Sequence, residues 1–430
     1  MTATLSETDT HAIRLAMRRA ERRRKLRAFL LVAPLALFLL VIFVIPIGAL
    51  LERAVANPEV IHNLPRTLVA LKSWDRTSTP PSVAFEALGA DLGKVRNTAN
   101  AGTLARRLNY EIPGYRSLLF KTMRHLGADD APAAQPLAAS NTTASTPDPS
   151  QAIKDRFLHI DKRWSQPEYW RAIIDNDSRY SSYYLLASMD LKRDMNGHIV
   201  HVPAGSSAFR DIYGRTFVIS LVVTLLTLVL GYPLAYWISK LPRRTANLVM
   251  ICVLIPFWTS ILVRIAAWIV LLQRQGLVNK ALMSVGLTNT PFDLLFNRTG
   301  VYIAMTHILL PFMLLPIYSV MQSVPNTYQR AAISLGSHPF AAFWRVYVPQ
   351  TYPGIGAGTL LVFIIAVGYY ITPALLGGAS DQMISYYVAY FTNQTINWGM
   401  ASALGFILLL GTLLLYSLYR RLSGRELGLG

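Results

Sequence analysis

Six long apolar stretches alternate with polar segments along the 430 residues of the chain. The first is uninterrupted from 28 to 51; as a helix it would be about 36 Å long, enough to cross a hydrocarbon core about 30 Å thick. Five more follow the polar middle of the chain, and they predict helices at 216–240, 246–272, 300–323, 355–377 and 398–420. The pattern therefore predicts an all-α membrane protein with six transmembrane helices.

The first apolar stretch has a rival interpretation, a cleaved signal peptide. A basic region precedes it, and Ala54, Val55 and Ala56 resemble a small-residue cleavage site. The apolar core of a signal peptide is only about 7–15 residues long, which is shorter than this stretch. A membrane-spanning helix is therefore the favoured interpretation.

Composition and charge support a membrane protein over a soluble enzyme or a nucleic-acid binder. Hydrophobic residues make up 53% of the chain and charged residues 15%, and the formal net charge is +18. The basic excess flanks the apolar stretches: residues 1–51 carry 8 basic and 3 acidic side chains, 215–430 carry 13 and 3, and 52–214 carry 20 and 17. Basic residues are distributed in this way at the cytoplasmic ends of membrane helices. The lipid bilayer is thus the expected partner, and nucleic acid is excluded.

Four short basic segments set the predicted orientation. They are residues 14–27, 240–244, 330–345 and 420–425, and the six-helix topology places all of them on one side. The positive-inside rule makes that side the cytoplasm. Both termini, including the tails 1–27 and 421–430, are therefore predicted to be cytoplasmic.

The polar block 52–212 is then predicted to be an extracytoplasmic insert between the first and second helices. Within it, residues 127–151 are rich in Ala, Pro, Ser, Thr and Asp without apolar periodicity, which predicts a disordered linker. The flanking segments 113–126 and 153–173 have helical spacing of apolar residues. The two pieces of the insert on either side of the linker, at about 50 to 75 residues each, would not bury much core alone, so we expect them to pack on each other or on the membrane domain.

The chain carries no recognisable catalytic motif. It has no G-x-x-x-x-G-K-[S/T], H-E-x-x-H or G-x-S-x-G sequence, and its eight histidines lack metal-ligand spacing. We therefore expect no enzyme activity, no cofactor and no metal in this chain. The apolar stretches also lack Asp and Glu, which proton- or sodium-driven carriers usually need, so energy must come from elsewhere. A pore-forming channel stays open, although nothing resembles a selectivity filter.

Arg264 is the one charged residue deep in an apolar stretch. An arginine near the bilayer centre costs about 2.5–3.5 kcal/mol, which favours a functional role. Because it lies about 18 residues into the predicted third helix, it could equally reach the outer interface by snorkelling. His307 is expected to be hydrogen-bonded inside the helix bundle rather than to act as a ligand.

Prolines interrupt several of the predicted spans. They are Pro233, Pro256, Pro311, Pro316 and Pro373. A proline frees a backbone carbonyl, which is tolerated at membrane depth only against protein or water. Kinked helices around a gate and plain packing kinks are both consistent with this pattern.

The cytoplasmic segment 326–349 predicts a helix, a glycine turn and a second helix. Ala331 and Ala332 begin the first helix, Gly336 can take the left-handed conformation that ends it, and Pro339 can open the second. The second helix carries three large aromatic side chains: Phe340, Phe343 and Trp344. Apolar bulk exposed to the cytoplasm predicts a docking surface.

This segment resembles the EAA loop of the membrane subunits of bacterial ABC importers. The matching positions are Ala331, Ala332, Gly336, Val346, Val348 and Pro349. Four other stretches resemble the spermidine/putrescine permease branch of that family: 231–236 (GYPLAY), 256–260 (PFWTS), 310–316 (LPFMLLP) and 373–378 (PALLGG). The resemblance covers roughly residues 213–420 and the first helix, and it leaves out most of the insert.

The resemblance implies a permease subunit with the type I ABC importer fold in a bacterial plasma (inner) membrane. Its implied partners are a dimer of ABC ATPase subunits, which would bind ATP and Mg²⁺, a second permease subunit, expected to be a paralogue, and an external substrate-binding protein. The matched residues would couple the permease to the ATPase. Arg330 stands where the family usually has Glu, so the usual carboxylate contact to the ATPase cannot form in this chain.

The branch implies a small polar solute, with a polyamine as the first expectation. Aromatic faces and carboxylates bind polycations. The candidate substrate path has the aromatic residues but no carboxylate, and it comprises Trp258, Arg264, Trp268, Tyr302, Tyr369 and Tyr370. An opine, a phosphonate or an amino-acid-like solute is the alternative. A membrane-anchored receptor or scaffold is the alternative of another class, but an anchor needs no element such as 326–349.

Overall fold

The computed structural model describes residues 21, 24, 25, 27, 29–128, 149–193, 198–203 and 208–426. The predicted linker 127–151 therefore lies mostly outside the described residues, and so does most of the predicted tail 1–27. The described edges of that linker are helical rather than irregular, because 127–128 end one helix and 149–151 begin the next. The chain divides into two compact units, Val55–Tyr184 and a second unit formed by Met1–Ala54 with Leu185–Gly430.

The unit Val55–Tyr184 is helical. Its elements are α2 (Pro58–Asn63), α3 (Pro65–Leu71), α4 (Ser82–Val95), α5 (Asn100–Glu111), α6 (Tyr115–Ala128), α7 (Pro149–Ile160), a 3-10 turn (Lys162–Ser165) and α8 (Pro167–Ile174); α1 (Phe29–Glu52, with a π segment at Leu40–Val44) precedes it in the other unit. This compact unit is shorter than the predicted insert 52–212, because residues 185–212 group with the membrane helices.

The two segments that flank the predicted linker share one aromatic core. Phe85 of α4 contacts Phe157 of α7 and Trp170 of α8, with ring centroids 5.7 and 4.5 Å apart. Trp164 is fully buried, and its Nε1 donates a hydrogen bond to Thr122 Oγ1 of α6 at 2.9 Å. The expectation that the flanking segments pack on each other is therefore confirmed, since α6 and α7 line the same core.

An ion pair on the surface joins the same two segments. Lys121 Nζ of α6 lies 3.1 Å from Asp161 Oδ2, which follows α7. Asp161 also accepts hydrogen bonds from the backbone and side chain of Arg163. The Arg163 guanidinium, with Lys121 contributing, lowers the pKa of the Asp161 carboxyl, so this contact is charged at neutral pH.

A buried polar network joins the beginning and the end of this unit. Backbone Asn57 N donates to Arg179 O at 2.9 Å, and Asn57 Nδ2 donates to Asn176 Oδ1 at 3.0 Å. Arg107 of α5 is 2% exposed and donates from Nε to Asn57 Oδ1 and from Nη2 to Asn176 Oδ1, at 3.0 and 2.6 Å. Its Nη2 also lies 3.0 Å from Glu111 Oε1. One buried guanidinium therefore joins α5 to residues at both ends of the unit.

Arg107→Met is expected to destabilise this unit by about 3 kcal/mol, because it leaves buried Asn57 Oδ1 without this donor, removes one of the two donors of Asn176 Oδ1 and breaks the ion pair with Glu111. The measurement is amide hydrogen exchange in α5 and α8 of the full chain. Arg66→Met, at an exposed position of α3, is the control. Equal protection in the two variants would show that the network contributes nothing to stability.

The second unit contains the apolar helices. After α9 (Tyr183–Ala187) and a hairpin of β1 (Leu191–Arg193) and β2 (Ile199–His201), its elements are α10 (Phe209–Lys240), α11 (Arg243–Leu254), α12 (Ile261–Leu272), α13 (Leu277–Ser284), α14 (Arg298–Ser323), α15 (Asn326–Ser334), α16 (Pro339–Ala342), α17 (Val348–Gln350), α18 (Tyr352–Gly368), α19 (Ile371–Leu376), α20 (Ile384–Asn393) and α21 (Trp398–Glu426). The strands pair antiparallel, with Leu191 opposite His201.

Helix α14 packs closely against α10 and α18. A Cβ on Gly231 of α10 would lie 3.2 Å from Met313 Cγ of α14. A Cβ on Gly354 of α18 would lie 3.0 Å from Pro316 O, and one on Gly358 would lie 2.9 Å from Met313 Sδ. Small residues allow helix backbones to approach each other in membranes. These three helices form the core of the membrane unit.

The prediction of six spans agrees with the structure when one bent helix pair counts as a single span. Among the described residues, five helices are long and apolar enough to cross a membrane: Phe29–Glu52, Phe209–Lys240, Ile261–Ser284, Arg298–Ser323 and Trp398–Arg421. The sixth span is a pair, Pro339–Gln350 with Tyr352–Gly368, which bends by 62°.

Two of the predicted helices are interrupted in the structure. The prediction of one helix over 246–272 is wrong, because α11 ends at Leu254 and a 3-10 turn, Ile255–Trp258, precedes α12. Pro256 cannot donate the backbone bond that would continue α11. The prediction of one helix over 355–377 is also wrong, since α18 ends before Tyr369, whose backbone is extended, and α19 starts at Ile371.

Three other prolines lie inside unbroken helices. Pro233 is within α10, and Pro311 and Pro316 are within α14. A helix buried in a bundle tolerates proline because neighbouring groups satisfy the freed backbone. Two of the five prolines therefore coincide with helix breaks among the described residues: Pro256 lies in one break, and Pro373 lies just after the other.

Candidate functional site

The segment 326–349 has the predicted helix–glycine–helix form. Helix α15 ends at Ser334, and Gly336 takes a left-handed conformation with φ +92°. Gly336 N donates to Ile333 O at 2.9 Å, and Ser337 N donates to Ala332 O at 3.0 Å. These two bonds satisfy carbonyls that a helix end would otherwise leave free. The left-handed glycine predicted from the sequence is therefore confirmed.

The second half of the segment is a short helix that continues into a π segment. His338 caps α16, since its Nδ1 accepts a bond from Phe340 N at 3.3 Å. Residues Phe343–Tyr347 form the π segment, and α17 follows. The sequence predicted the second helix but contained no signal for its π geometry.

We call residues 326–349 the coupling element. Its first half is open: Arg330 and Ala331 are exposed, and Leu335 and Phe340 are 88% and 68% exposed. The end of the element is buried, because Tyr347 and Val348 pack into the membrane unit. Val346 and Pro349 are half-buried. The motif residues therefore divide into an outward-facing half and a half that fixes the element to the helix bundle.

Lys240, the last residue of α10, joins that helix to the coupling element. Its Nζ donates to Asn326 Oδ1 at 2.6 Å. The same ammonium lies over the rings of Tyr236 and Tyr347, at 5.2 and 5.0 Å from their centroids. From the sequence alone, Lys240 is predicted only to be part of a basic cytoplasmic segment. The local sign of its contact is Tyr236, which lies one helical turn earlier and can place its ring under the ammonium.

A polar cluster lies between α12, α14 and the break after α18. Arg264 interacts electrostatically with His307 and Tyr369. Trp268 Nε1 donates to His307 Nδ1 at 3.3 Å, and their rings are 5.3 Å apart. We call these four residues the Arg264 cluster. His307 therefore has a hydrogen-bond partner, as predicted.

Arg264 lies near the start of its helix, whereas the predicted position is about 18 residues into a longer helix. Because α12 begins at Ile261, Arg264 is in the first turn of a new helix, and its backbone N donates to Ser260 O at 3.1 Å. Its Nε is buried and has no hydrogen-bond partner among the residues that the structure describes. The break at Pro256 thus turns an arginine predicted far along a helix into one at a helix start.

Three other candidate path residues lie outside this cluster. Trp258 is 76% exposed on the 3-10 turn, and Tyr302 packs against the core of the membrane unit. Tyr370 is 39% exposed. Of the six candidates, the structure brings together Arg264, Trp268 and Tyr369. Across the described ranges, no group of three His, Cys, Asp or Glu side chains could hold a metal ion.

Comparison with known proteins places the second half of the chain in a family. Residues 227–427 match the family described as "Binding-protein-dependent transport system inner membrane component". The chain is 35% identical over 198 residues to the spermidine/putrescine transport system permease protein PotB of Escherichia coli (strain K12), covering 46% of this chain and 72% of that protein. It is 34% identical over 220 residues to PotB of Haemophilus influenzae, covering 50% and 77%.

Among solved structures, the chain resembles a bacterial alginate ABC transporter in complex with an alginate pentasaccharide-bound periplasmic protein. The TM-score is 0.44 at 19% identity, over 52% of this chain and 81% of that chain. The family match and the PotB relatives agree with the resemblance found in the sequence. This chain belongs to the family of binding-protein-dependent transport system inner membrane components, and within it to the ABC importer permeases of the spermidine/putrescine branch.

Proposed function

We propose that this chain forms half of the translocation path of an ATP-driven importer and that an ATPase subunit docks on its coupling element. The observation that carries the proposal is the exposed apolar surface of that element, where Leu335 and Phe340 are 88% and 68% exposed. A surface of this kind on a helix–glycine–helix element is typical of a protein interface.

The covalent path from the coupling element to the helix bundle supports this role. The element continues through α17 into α18 with a bend of 62°. Helix α18 then packs against α14 at Gly354 and Gly358. Packed helices move as rigid bodies, so a displacement of the docking half is transmitted to the core of the bundle.

The remaining partners follow from the same proposal. A dimer of ATPase subunits would bind ATP and Mg²⁺, a second permease subunit would complete the path, and an external binding protein would deliver the solute. In this proposal the ATPase subunits, and not this chain, supply the catalytic groups and bind the cofactor.

We propose that both termini are cytoplasmic and that the unit Val55–Tyr184 lies on the extracytoplasmic side of the membrane. The basic segments 14–27, 240–244 and 420–425 support this orientation. The measurement is labelling of intact cells with a membrane-impermeant thiol reagent in a Cys252→Ser background. Val83→Cys should be labelled directly, and Leu335→Cys only after permeabilisation; the reverse pattern would overturn the orientation.

A polyamine is the proposed solute, on the strength of the PotB relatives. One observation favours a second candidate. The Nε of Arg264 is buried and unpaired among the described residues, and a guanidinium in that state attracts an anionic group. An opine, a phosphonate or an amino-acid-like solute would supply one, whereas a polyamine would not.

Spermidine uptake is the test of the proposed function. Cells that express this chain with its ATPase, second permease and binding protein should accumulate labelled spermidine, and cells that lack only this chain should not. Excess unlabelled putrescine should compete for uptake. Failure of spermidine uptake, with accumulation of a labelled opine or phosphonate instead, would identify the second candidate.

Arg330 provides a separate prediction about the ATPase interface. Two facing cations repel, so the surface of the ATPase opposite Arg330 should contain an acidic residue. Arg330→Glu should then weaken copurification of the ATPase, and reversal of the facing charge on the ATPase should restore it. If Arg330→Glu assembles and transports normally, Arg330 serves only as a basic residue that fixes orientation.

A further inference from the structure

An apolar groove of about 450 Å³ lies between α10, the π segment and α18. Its walls include Leu228, Val229, Tyr232, Phe343, Trp344 and Ile355. Val229 and Trp344 are 66% and 54% exposed, so the groove is open on the surface of the membrane unit. Phe343 and Trp344 also belong to the coupling element, but Leu335 and Phe340, which carry the docking proposal, do not line the groove.

A basic side chain lies beside one end of the groove, and two more basic residues are close to that end in the sequence. Tyr236 lines the groove, and the ammonium of Lys240, one turn further along α10, lies 5.2 Å from its ring centroid. Arg345, which is exposed, follows the groove residue Trp344 in the chain, and Arg243 begins the next helix. The end of α10 therefore presents positive charge directly beside an apolar surface.

Acidic residues are scarce in this part of the chain. Between 212 and 380 the sequence contains a single one, Asp293, which pairs with Arg274 at 2.9 Å. The basic residues at the end of the groove therefore have no carboxylate in this part of the sequence that could neutralise them. An anion from outside the chain fits this charge distribution.

The groove is an elongated apolar surface. Its α10 wall, from Leu228 to Tyr236, is about 12 Å long at 1.5 Å per residue. An alkyl chain that lies along this wall contacts apolar side chains over the length of the groove. A helix of a partner subunit is the competing occupant, and labelling of the groove by neither lipid would indicate it.

We infer that the groove binds an acyl chain of an anionic phospholipid, whose phosphate contacts Lys240 and Arg345. The apolar walls run along the membrane-spanning helix, and the basic residues stand at its end, where headgroups lie. Basic pockets between transmembrane helices are typical sites for anionic headgroups. The inference does not depend on the solute or on the ATPase.

Binding at this position would link lipid composition to the coupling element. Phe343 contacts Tyr236 and Tyr347, with ring centroids 5.0 and 5.8 Å apart, and Trp344 lies beside it. A lipid chain against Phe343 and Trp344 holds the π segment on α10. The anionic lipid is therefore a structural ligand of the joint between the coupling element and the bundle.

The test uses the purified full chain in nanodiscs that contain equal amounts of phosphatidylglycerol and phosphatidylethanolamine. One lipid at a time carries a photoreactive acyl chain, and the cross-linked peptides are mapped. Phosphatidylglycerol should label 228–236 and 343–355 in preference to phosphatidylethanolamine. Val229→Trp, which fills the groove, should abolish this labelling, and Val218→Trp, at an exposed valine of the same helix outside the groove, should not.

A second variant tests the charge contact separately from the shape of the groove. Lys240→Gln should weaken phosphatidylglycerol labelling about fivefold, the effect of one basic residue near the membrane surface. Arg420→Gln removes the same charge at the end of α21 and should leave the labelling unchanged. Equal labelling by the two lipids, labelling elsewhere, or equal effects of Lys240→Gln and Arg420→Gln would each overturn the inference.

Discussion

Gly336→Val is expected to abolish solute uptake while the chain still inserts into the membrane. Gly336 has φ +92°, a conformation that costs a residue with a Cβ about 1–2 kcal/mol and a branched residue more. No atom lies within 4 Å of a Cβ at this position, so the effect comes from the backbone and not from a clash. The helix after the turn, with Phe340, would then point in another direction. Uptake and copurification of the ATPase are the two measurements.

Gly286→Val is the matched control for this experiment. Gly286 also has a positive φ, +77°, and also has no atom within 4 Å of a Cβ, but it lies after α13, outside the coupling element. It should reduce stability slightly and leave uptake largely intact. If the two variants transport equally well, the coupling role of the glycine turn is wrong.

Gly354→Leu is expected to prevent assembly of the membrane unit. A Cβ there would lie 3.0 Å from Pro316 O and from Val320 Cβ, and 3.1 Å from Ile317 Cα. Two of these atoms belong to the backbone of α14 and cannot rotate away. Forcing larger groups into a packed core costs about 1–3 kcal/mol or more, and here it separates two core helices. The amount of chain recovered from membranes and its thermal stability should both fall sharply.

Gly368→Leu provides the comparison on the same helix. No atom lies within 4 Å of a Cβ at Gly368, the last residue of α18. The two variants add the same side chain to the same helix, so helix propensity and hydrophobicity change equally. Similar yields of both proteins would mean that the close approach of α18 and α14 does not hold the bundle together.

Apolar length predicted the membrane helices, but it could not predict where they break. Pro233 and Pro311 lie inside continuous helices, whereas α11 ends beside Pro256. The residue type is the same in all three cases. What differs is whether packed neighbours hold the helix together around the proline, and those neighbours come from distant parts of the sequence. The same limit explains why Arg264 was expected far along a helix and lies in its first turn.

The local parts of the candidate site were easier to predict than its long-range parts. The turn at Gly336 follows from a glycine and a proline at fixed spacing within one segment. The contact of Lys240 with Asn326 joins residues 86 positions apart, and the groove joins α10 to α18. No local pattern encodes such pairs, so the sequence showed the residues but not their proximity.

Apolar spacing predicted two helical segments of the unit Val55–Tyr184, 113–126 and 153–173, but it predicted neither the helices before them nor the way the helices assemble. Each side of the segment 127–151 looked too small to form a core. The structure brings Phe85, Phe157 and Trp170 into one cluster, and these residues come from both sides of that segment. Counting each side separately therefore underestimated the apolar surface that becomes buried.

The chain enters and leaves the unit Val55–Tyr184 at adjacent positions. Ser181 N donates to Val55 O at 2.7 Å, and Asn57 N donates to Arg179 O at 2.9 Å, so about 120 residues begin and end at nearly one point. A domain whose two ends are this close can be inserted into a loop, or deleted from it, without displacing the flanking chain. A short turn would span the same distance between the two ends. The membrane helices and this unit are therefore free to evolve separately, and a permease without the unit needs only a few residues to close the same loop.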